Sequence, residues 1–261
     1  METRSNRRGD DGRLAAAVDE LRLERRRTAD ELEALREFED RVRAIPSEQN
    51  AFGDRRFAGV ATTVETTGLD RVREAYKATL MSAPHYLEEY DDSYVESLAE
   101  EFSADLASAL TDGTEFNERC KQTLLSSISN SQSARESLLG VIDRERESVL
   151  QAEGDLASLS AECAEIRSIR FERKQFGTLD AYRARLGVMA DKCERVSDRR
   201  QDAIFDQRRI RWLPSDVTDV TMYFYRDLDV DYPVISAVAD LSDSIQEVRR
   251  RVERAMAFCN T

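Results

Sequence analysis

From Leu14 onward the apolar residues return at intervals of three and four. Leu14, Val18, Leu21, Leu32, Leu35 and Val42 lie on one seam, interrupted by Arg25, Thr28 and Glu39. This seven-residue repeat predicts one helix over 14–45, with polar seam positions that cost stability but fix register and partner. Ile45-Pro46 ends it, because the residue before proline is pushed out of the helical region. Residues 46–68, with Phe52, Phe57 and "ATTVETTG", read as a long irregular connection, either packed or mobile. A helix resumes near Leu69 and breaks near Pro84, which the first turn of a following helix tolerates. His85 falls in or beside that turn, and Glu88 and Glu89 follow as acids suited to the positive end of a helix dipole. Ser93 and Glu96 in "SYVE" have capping-box spacing, and the helix they open is predicted over 94–110. "TDG" ends it, with Gly113 available for a left-handed conformation.

From Thr114 to about Gln175 the chain contains no helix-stopping signal. The seam Leu124, Ile128, Ser131, Arg135, Leu138, Ile142, Glu145, Val149, Ala152, Leu156, Leu159, Cys163, Ile166, Arg170 is mostly apolar. At the helical rise this is a rod about 90 Å long, which one compact globule does not cover. Gly177 and Thr178 supply a stop and a new cap, and Leu179, Tyr182, Leu186, Met189, Cys193, Val196, Ala203 and Ile210 continue the spacing to about Leu213. A short turn between two such helices sets them antiparallel. The prediction is an arm about 50 Å long whose tip is the Phe176-Gly177 corner. Pro233 opens a last helix whose stripe, Val234, Val238, Leu241, Ile245, Val248, Val252, Ala255 and Cys259, is uninterrupted and so calls for burial. Tyrosines 76, 86, 90, 94, 223, 225 and 232 cluster in two segments outside the arm, and both are assigned to a head.

The fold class predicted is therefore all-α: a helical head with a projecting antiparallel coiled-coil hairpin. Residues 1–13 form a disordered N-terminus, 14–140 and 214–261 the head, and 141–213 the arm.

Composition adds the setting. With 52 acidic and 39 basic residues the net charge is -13, a field that repels nucleic acid over most of the surface. Lys77, Lys121, Lys174 and Lys192 are the only lysines, so arginine supplies nearly all the positive charge. Short carboxylates hold water and cations whereas lysine stems expose apolar surface, so this coat fits the cytoplasm of a halophile. Cys120, Cys163, Cys193 and Cys259 are widely spaced, without CxxC or paired histidines, which points away from zinc, redox and disulfide frameworks. No stretch approaches a membrane span, and "METRSNRRGDDGR" lacks the apolar segment of a signal peptide, so a soluble intracellular protein is expected.

Candidate chemistry is sparse. His85, Glu88 and Glu89 have the i, i+3, i+4 spacing that points an imidazole and two carboxylates at one metal ion, but a single histidine without a second ligand cluster reads better as a helix-start residue. Nucleophilic catalysis lacks its base in context, and no phosphate-cradling loop is present. Asp227, Asp229 and Asp231 in "RDLDVDY" lack the glycine and terminal glutamate of a calcium loop. "LRLERRRTADE", "DRRQDAIFDQRRIR" and "QEVRRRVERA" carry arginines suited to phosphates, though acids three or four residues away offer ion pairs.

Several segments together resemble a haloarchaeal family described as a domain of unknown function: "AVDELRLERRR", "EFEDRV", "VREAYKATLMSAPHYLEEYDDSYVESLAEEFSADLASALTDG", "LLGVIDRERESVL", "DLDVDYPVISAVADL" and "RRRVERAMA". The resemblance implies a helical cytoplasmic or peripheral protein and carries over no activity, ligand or catalytic residue. The expectation is a non-enzymatic coiled-coil interaction or scaffold protein that binds a protein partner or itself. No catalytic residue, cofactor, metal or small-molecule substrate is assigned. The alternative is a regulator touching nucleic acid through arginine-bearing faces such as Arg208 and Arg209, and the third reading is a metal-dependent enzyme at His85.

Overall fold

The computed structural model describes residues 6–47, 67–86, 92–208 and 220–259, and these are helical, with no strand among them. The helices are α1 (Asn6–Ala44), α2 (Gly68–Ala78), α3 (Tyr94–Glu101), α4 (Ala104–Thr111), α5 (Glu118–Arg167), α6 (Phe176–Arg208), α7 (Val220–Phe224) and α8 (Pro233–Phe258). Short 3₁₀ turns lie at Leu80–Ser82 and Phe171–Arg173. The chain divides into two compact units, one of residues 25–140 and one of residues 1–24 with 141–261.

In the 25–140 unit the predicted caps are present. Thr67 and Asp70 form one capping box at α2, and Ser93 and Glu96 form another at α3. The helix expected over 94–110 is instead two helices. Ser103 caps the second by accepting from the Leu106 N–H at 3.2 Å, and the Phe102 ring stacks on Phe38 with centroids 6.3 Å apart. A local cap together with an aromatic contact thus outweighs helix continuity. Gly113 is needed for close approach rather than a left-handed backbone, since a Cβ there would lie 2.2 Å from the Ala109 carbonyl oxygen. Phe38, Val42, Val72, Tyr76, Leu98, Leu110, Leu124 and Ile128 build the core. Each such side chain contributes about 1.5–3 kcal/mol by leaving water. The α1 exit is tied down by Lys121 of α5, whose Nζ donates to the carbonyls of Arg43 (2.9 Å) and Ile45 (2.6 Å). The connection expected over 46–68 lies almost wholly outside the described residues.

In the other unit α5 and α6 run in opposite directions. Glu162 of α5 pairs with Arg185 of α6, Asp155 with Arg199, and Glu145 with Arg200. The turn between them comes earlier than predicted: α5 stops at Arg167, while Gly177 lies in the first turn of α6. Burial of Phe171, whose ring meets Tyr182 edge-on at 5.9 Å and lies under the Arg251 guanidinium, bends the chain there.

The sequence assigned both terminal helices to the head and left the arm with two helices. Here α8 packs closely against α6. Arg13 of α1 donates to Ser236 and Asp240 of α8, both at 2.9 Å. The unbroken stripe of α8 needs an apolar face, and Leu186, Met189, Cys193 and Val196 of α6 contribute buried residues to the same core. Residues 1–24 and 220–259 therefore share a unit with the expected arm. Helix α1 already begins at Asn6, inside the segment expected to be disordered. The two tyrosine segments, expected together, fall in different units: Tyr76, Tyr86 and Tyr94 in one, Tyr223, Tyr225 and Tyr232 in the other.

Candidate functional site

Two polar clusters interrupt these cores, and each begins at a charged residue on the seam of α5, Arg135 in one and Glu145 in the other. The first lies wholly in the 25–140 unit. Arg135 of α5 donates through Nε to Glu31 Oε2 on α1 (3.1 Å) and through Nη2 to Glu101 Oε2 at the end of α3 (2.7 Å). His85, buried in the turn after Pro84, places Nε2 3.2 Å from the other Glu31 oxygen. Tyr76 of α2 and Ser97 of α3 share a hydrogen bond of 2.8 Å.

These segments surround a cavity of about 230 Å³ lined by Leu35, Leu80, Tyr76, Tyr86, His85 and Arg135 among others, with carboxylates from Glu31, Asp92, Glu100 and Glu101. Burial raises the Glu101 carboxyl above the usual glutamate range against the pull of Arg135. Its Oε1 is buried and accepts no hydrogen bond among the described residues. Burial opposes the charge on Arg135, but the carboxylates of Glu101 and Glu31 outweigh it and hold the guanidinium more firmly protonated than usual. Tyr94, whose ring meets that of Tyr76, has its hydroxyl pushed up to about 12 by burial.

The second cluster lies in the other unit and is centred on Glu145. Glu145 is fully buried, and its Oε1 accepts from Arg200 Nη2 and Tyr225 Oη, both at 2.6 Å. Its Oε2 accepts from Arg200 Nη1 at 2.8 Å and Gln207 Nε2 at 2.7 Å. Burial opposes ionisation of Glu145, yet the Arg200 hydrogen bonds and charge, with those from Tyr225 and Gln207, hold its carboxyl below the usual range. Burial and the adjacent Glu145 carboxylate together push the Tyr225 hydroxyl far up. The arrangement joins α5, α6 and the segment after α7.

Of the candidate metal trio only His85 is described, with Glu31 as a carboxylate neighbour; Glu88 and Glu89 lie outside the described residues. Among the described residues no group of three or more His, Cys, Asp or Glu side chains is arranged to hold a metal ion. Spacing along one helix could not reveal Glu31, which comes from 54 residues upstream. The signal that existed was Arg135 on an apolar stripe; nothing pointed to Glu101.

The arginine clusters are partly engaged within the chain. Arg199 pairs with Asp155, Arg249 with Glu253, and Arg251 donates to the Arg167 carbonyl at 3.1 Å. The side chains of Arg208 and Arg209 lie outside the described residues. The four cysteines are free, with Cys163 and Cys193 buried on helix stripes and Cys259 exposed.

Such a molecule falls in the class of all-α proteins with buried polar clusters among packed helices, and no described helix is long and apolar enough to cross a membrane. The chain belongs to the family described as Domain of unknown function (DUF7260), whose model matches residues 12–249. No curated protein and no solved structure matches it.

Proposed function

We propose that this protein is a non-enzymatic helical interaction or scaffold protein of a haloarchaeal cytoplasm, in which α5 and α6 form an antiparallel coiled-coil hairpin. Its contact surface for a protein partner or a second copy is the end where these helices meet the close of α8. The observation that carries the reading is at that end. Cys259 Sγ lies 3.3 Å from the Lys174 carbonyl oxygen, so the segments bearing Phe176 and Phe258 meet, and these two rings are 46% and 82% exposed. Single apolar side chains on a surface are ordinary, but aromatic rings gathered at one place mark contact surfaces.

Salt strengthens the case. In a salt-rich medium charges are screened within about 3 Å at 1 M, so an aromatic contact holds where an ion pair fades. The acid-rich, lysine-poor composition supports the halophilic setting.

The polar seam positions contribute less to partner choice than their pattern suggested. Arg135 and Glu145 find their partners inside the chain, so they fix its own packing, and recognition is left to the exposed end. Sedimentation at molar potassium chloride tests the reading. Wild type associates with itself, or retains a stoichiometric partner from native extract, and Phe176→Ser with Phe258→Ser abolishes this while the helical signal is unchanged. A wild type that stays monomeric and retains nothing, or a double variant that behaves as wild type, rejects it.

A further inference from the structure

The cavity beside Arg135 is not needed by an interaction role, and its lining has a chemistry of its own. One wall is apolar and aromatic, from Leu35, Leu80, Tyr76 and Tyr86. Among the described residues the other carries the carboxylates of Glu31, Asp92, Glu100 and Glu101, together with Arg135 and His85. Arg135 is committed to both Glu31 and Glu101. Asp92 and Glu100 line the same space and are in no ion pair among the described residues. Glu101 is the sharpest case, because one oxygen is held by Arg135 and the other is buried and accepts no hydrogen bond among the described residues. An ionised carboxylate in such a place calls for a cation or a proton.

We propose that this cavity binds a small organic ammonium ion, with the carboxylates of Glu101 and Asp92 meeting the charge and the rings of Tyr76 and Tyr86 meeting the alkyl part. An apolar and aromatic half-wall has nothing to offer a bare metal ion, which takes oxygen ligands on all sides. It does suit the carbon atoms of an alkylammonium, and aromatic faces attract the charge as well. At about 230 Å³ the space lies below the 300–1,000 Å³ range of drug-sized sites, so the ligand is compact. The raised carboxyl of Glu101 agrees, since a bound cation would replace the proton that burial otherwise favours.

Titration calorimetry of the full chain, with ionic strength held constant, distinguishes the possibilities. The probes are n-butylammonium, its neutral counterpart n-butanol, its anionic counterpart butyrate, and calcium. The expected result is saturable one-site binding of n-butylammonium with no binding of butanol or butyrate. Affinity should fall by about tenfold or more in Glu101→Gln and in Asp92→Asn. Asp92 takes no part in the Arg135 ion pairs, so its variant keeps the test decisive if Glu101→Gln unfolds. Arg36→Ala, whose side chain pairs with Glu136 on the surface, should bind as wild type. The proposal is overturned if n-butylammonium gives no saturable heat, if butanol binds equally well, if calcium displaces it stoichiometrically, or if both folded carboxylate variants bind as wild type.

Discussion

Glu145 and Glu101 are both glutamates beside an arginine in a helical core, and they have opposite fates. Glu145 has four hydrogen bonds to its two oxygens and a carboxyl held below the usual range. Glu101 has one oxygen paired by Arg135, one that accepts no hydrogen bond among the described residues, and a carboxyl raised by burial. The residue pair is the same, so the difference comes from the remaining donors. Gln207 and Tyr225 complete the first site, while the second opens onto a cavity. A buried carboxylate whose valences are filled acts as a lock between helices; one whose valences are half filled is available to something else.

The comparison breaks first on the lock. Glu145→Ala removes the carboxylate that faces the buried Arg200 guanidinium and should cost about 3–5 kcal/mol in guanidinium denaturation. Arg135→Met removes charged hydrogen bonds from a more exposed cluster and should cost less, about 1.5–3 kcal/mol. If the two losses are equal, the two sites do not differ in kind. Hydrogen exchange on α6 and α2 amides reports each unit separately.

Proton linkage gives the two sites opposite signs. The lowered carboxyl of Glu145 contributes stability that is full above the ordinary glutamate value and is lost as pH falls through its native value. The raised carboxyl of Glu101 contributes stability that is full below the ordinary value and is lost as pH rises through its native one. Glu145→Gln should therefore flatten the acid side of the stability profile, and Glu101→Gln the side just above the ordinary glutamate range. Parallel profiles for the two variants would contradict the contrast. Smaller still, Tyr76→Phe should cost about 1 kcal/mol through the lost Ser97 bond, read by the same denaturation. The exposed pair Arg36–Glu136 should be nearly silent, with Arg36→Ala within about 0.5 kcal/mol of wild type.

Much of the helical fold was legible because its rule is local. The seams through Leu14, Val18 and Leu21, through Val149, Leu156 and Leu159, and through Val234 to Val252 are buried as their spacing demanded. Proline at the start of α8 and the Ser93 box also act through neighbours in sequence. What escaped depends on distant residues. The bend at Phe171 needs Tyr182 and Arg251, and the break before Ala104 draws on Phe38. Likewise, placing α8 with α6 required knowing which of several apolar faces it would choose. The candidate site was half visible: Arg135 stood out as a charge on an apolar stripe, but Glu31 and Glu101 look like ordinary surface acids until the helices are packed.

The tether made by Lys121 sets a limit on the exchange of lysine for arginine in this chain. Its compact ammonium points two of its three protons at the carbonyls of Arg43 and Ile45, where α1 gives out. A guanidinium is flat and broad and aims its protons in one plane, so it does not converge on two stacked carbonyls in the same way. Arginine stands in for lysine almost everywhere else in this chain, but here the amine serves as a fastening, and replacing it would loosen the mooring of the first helix.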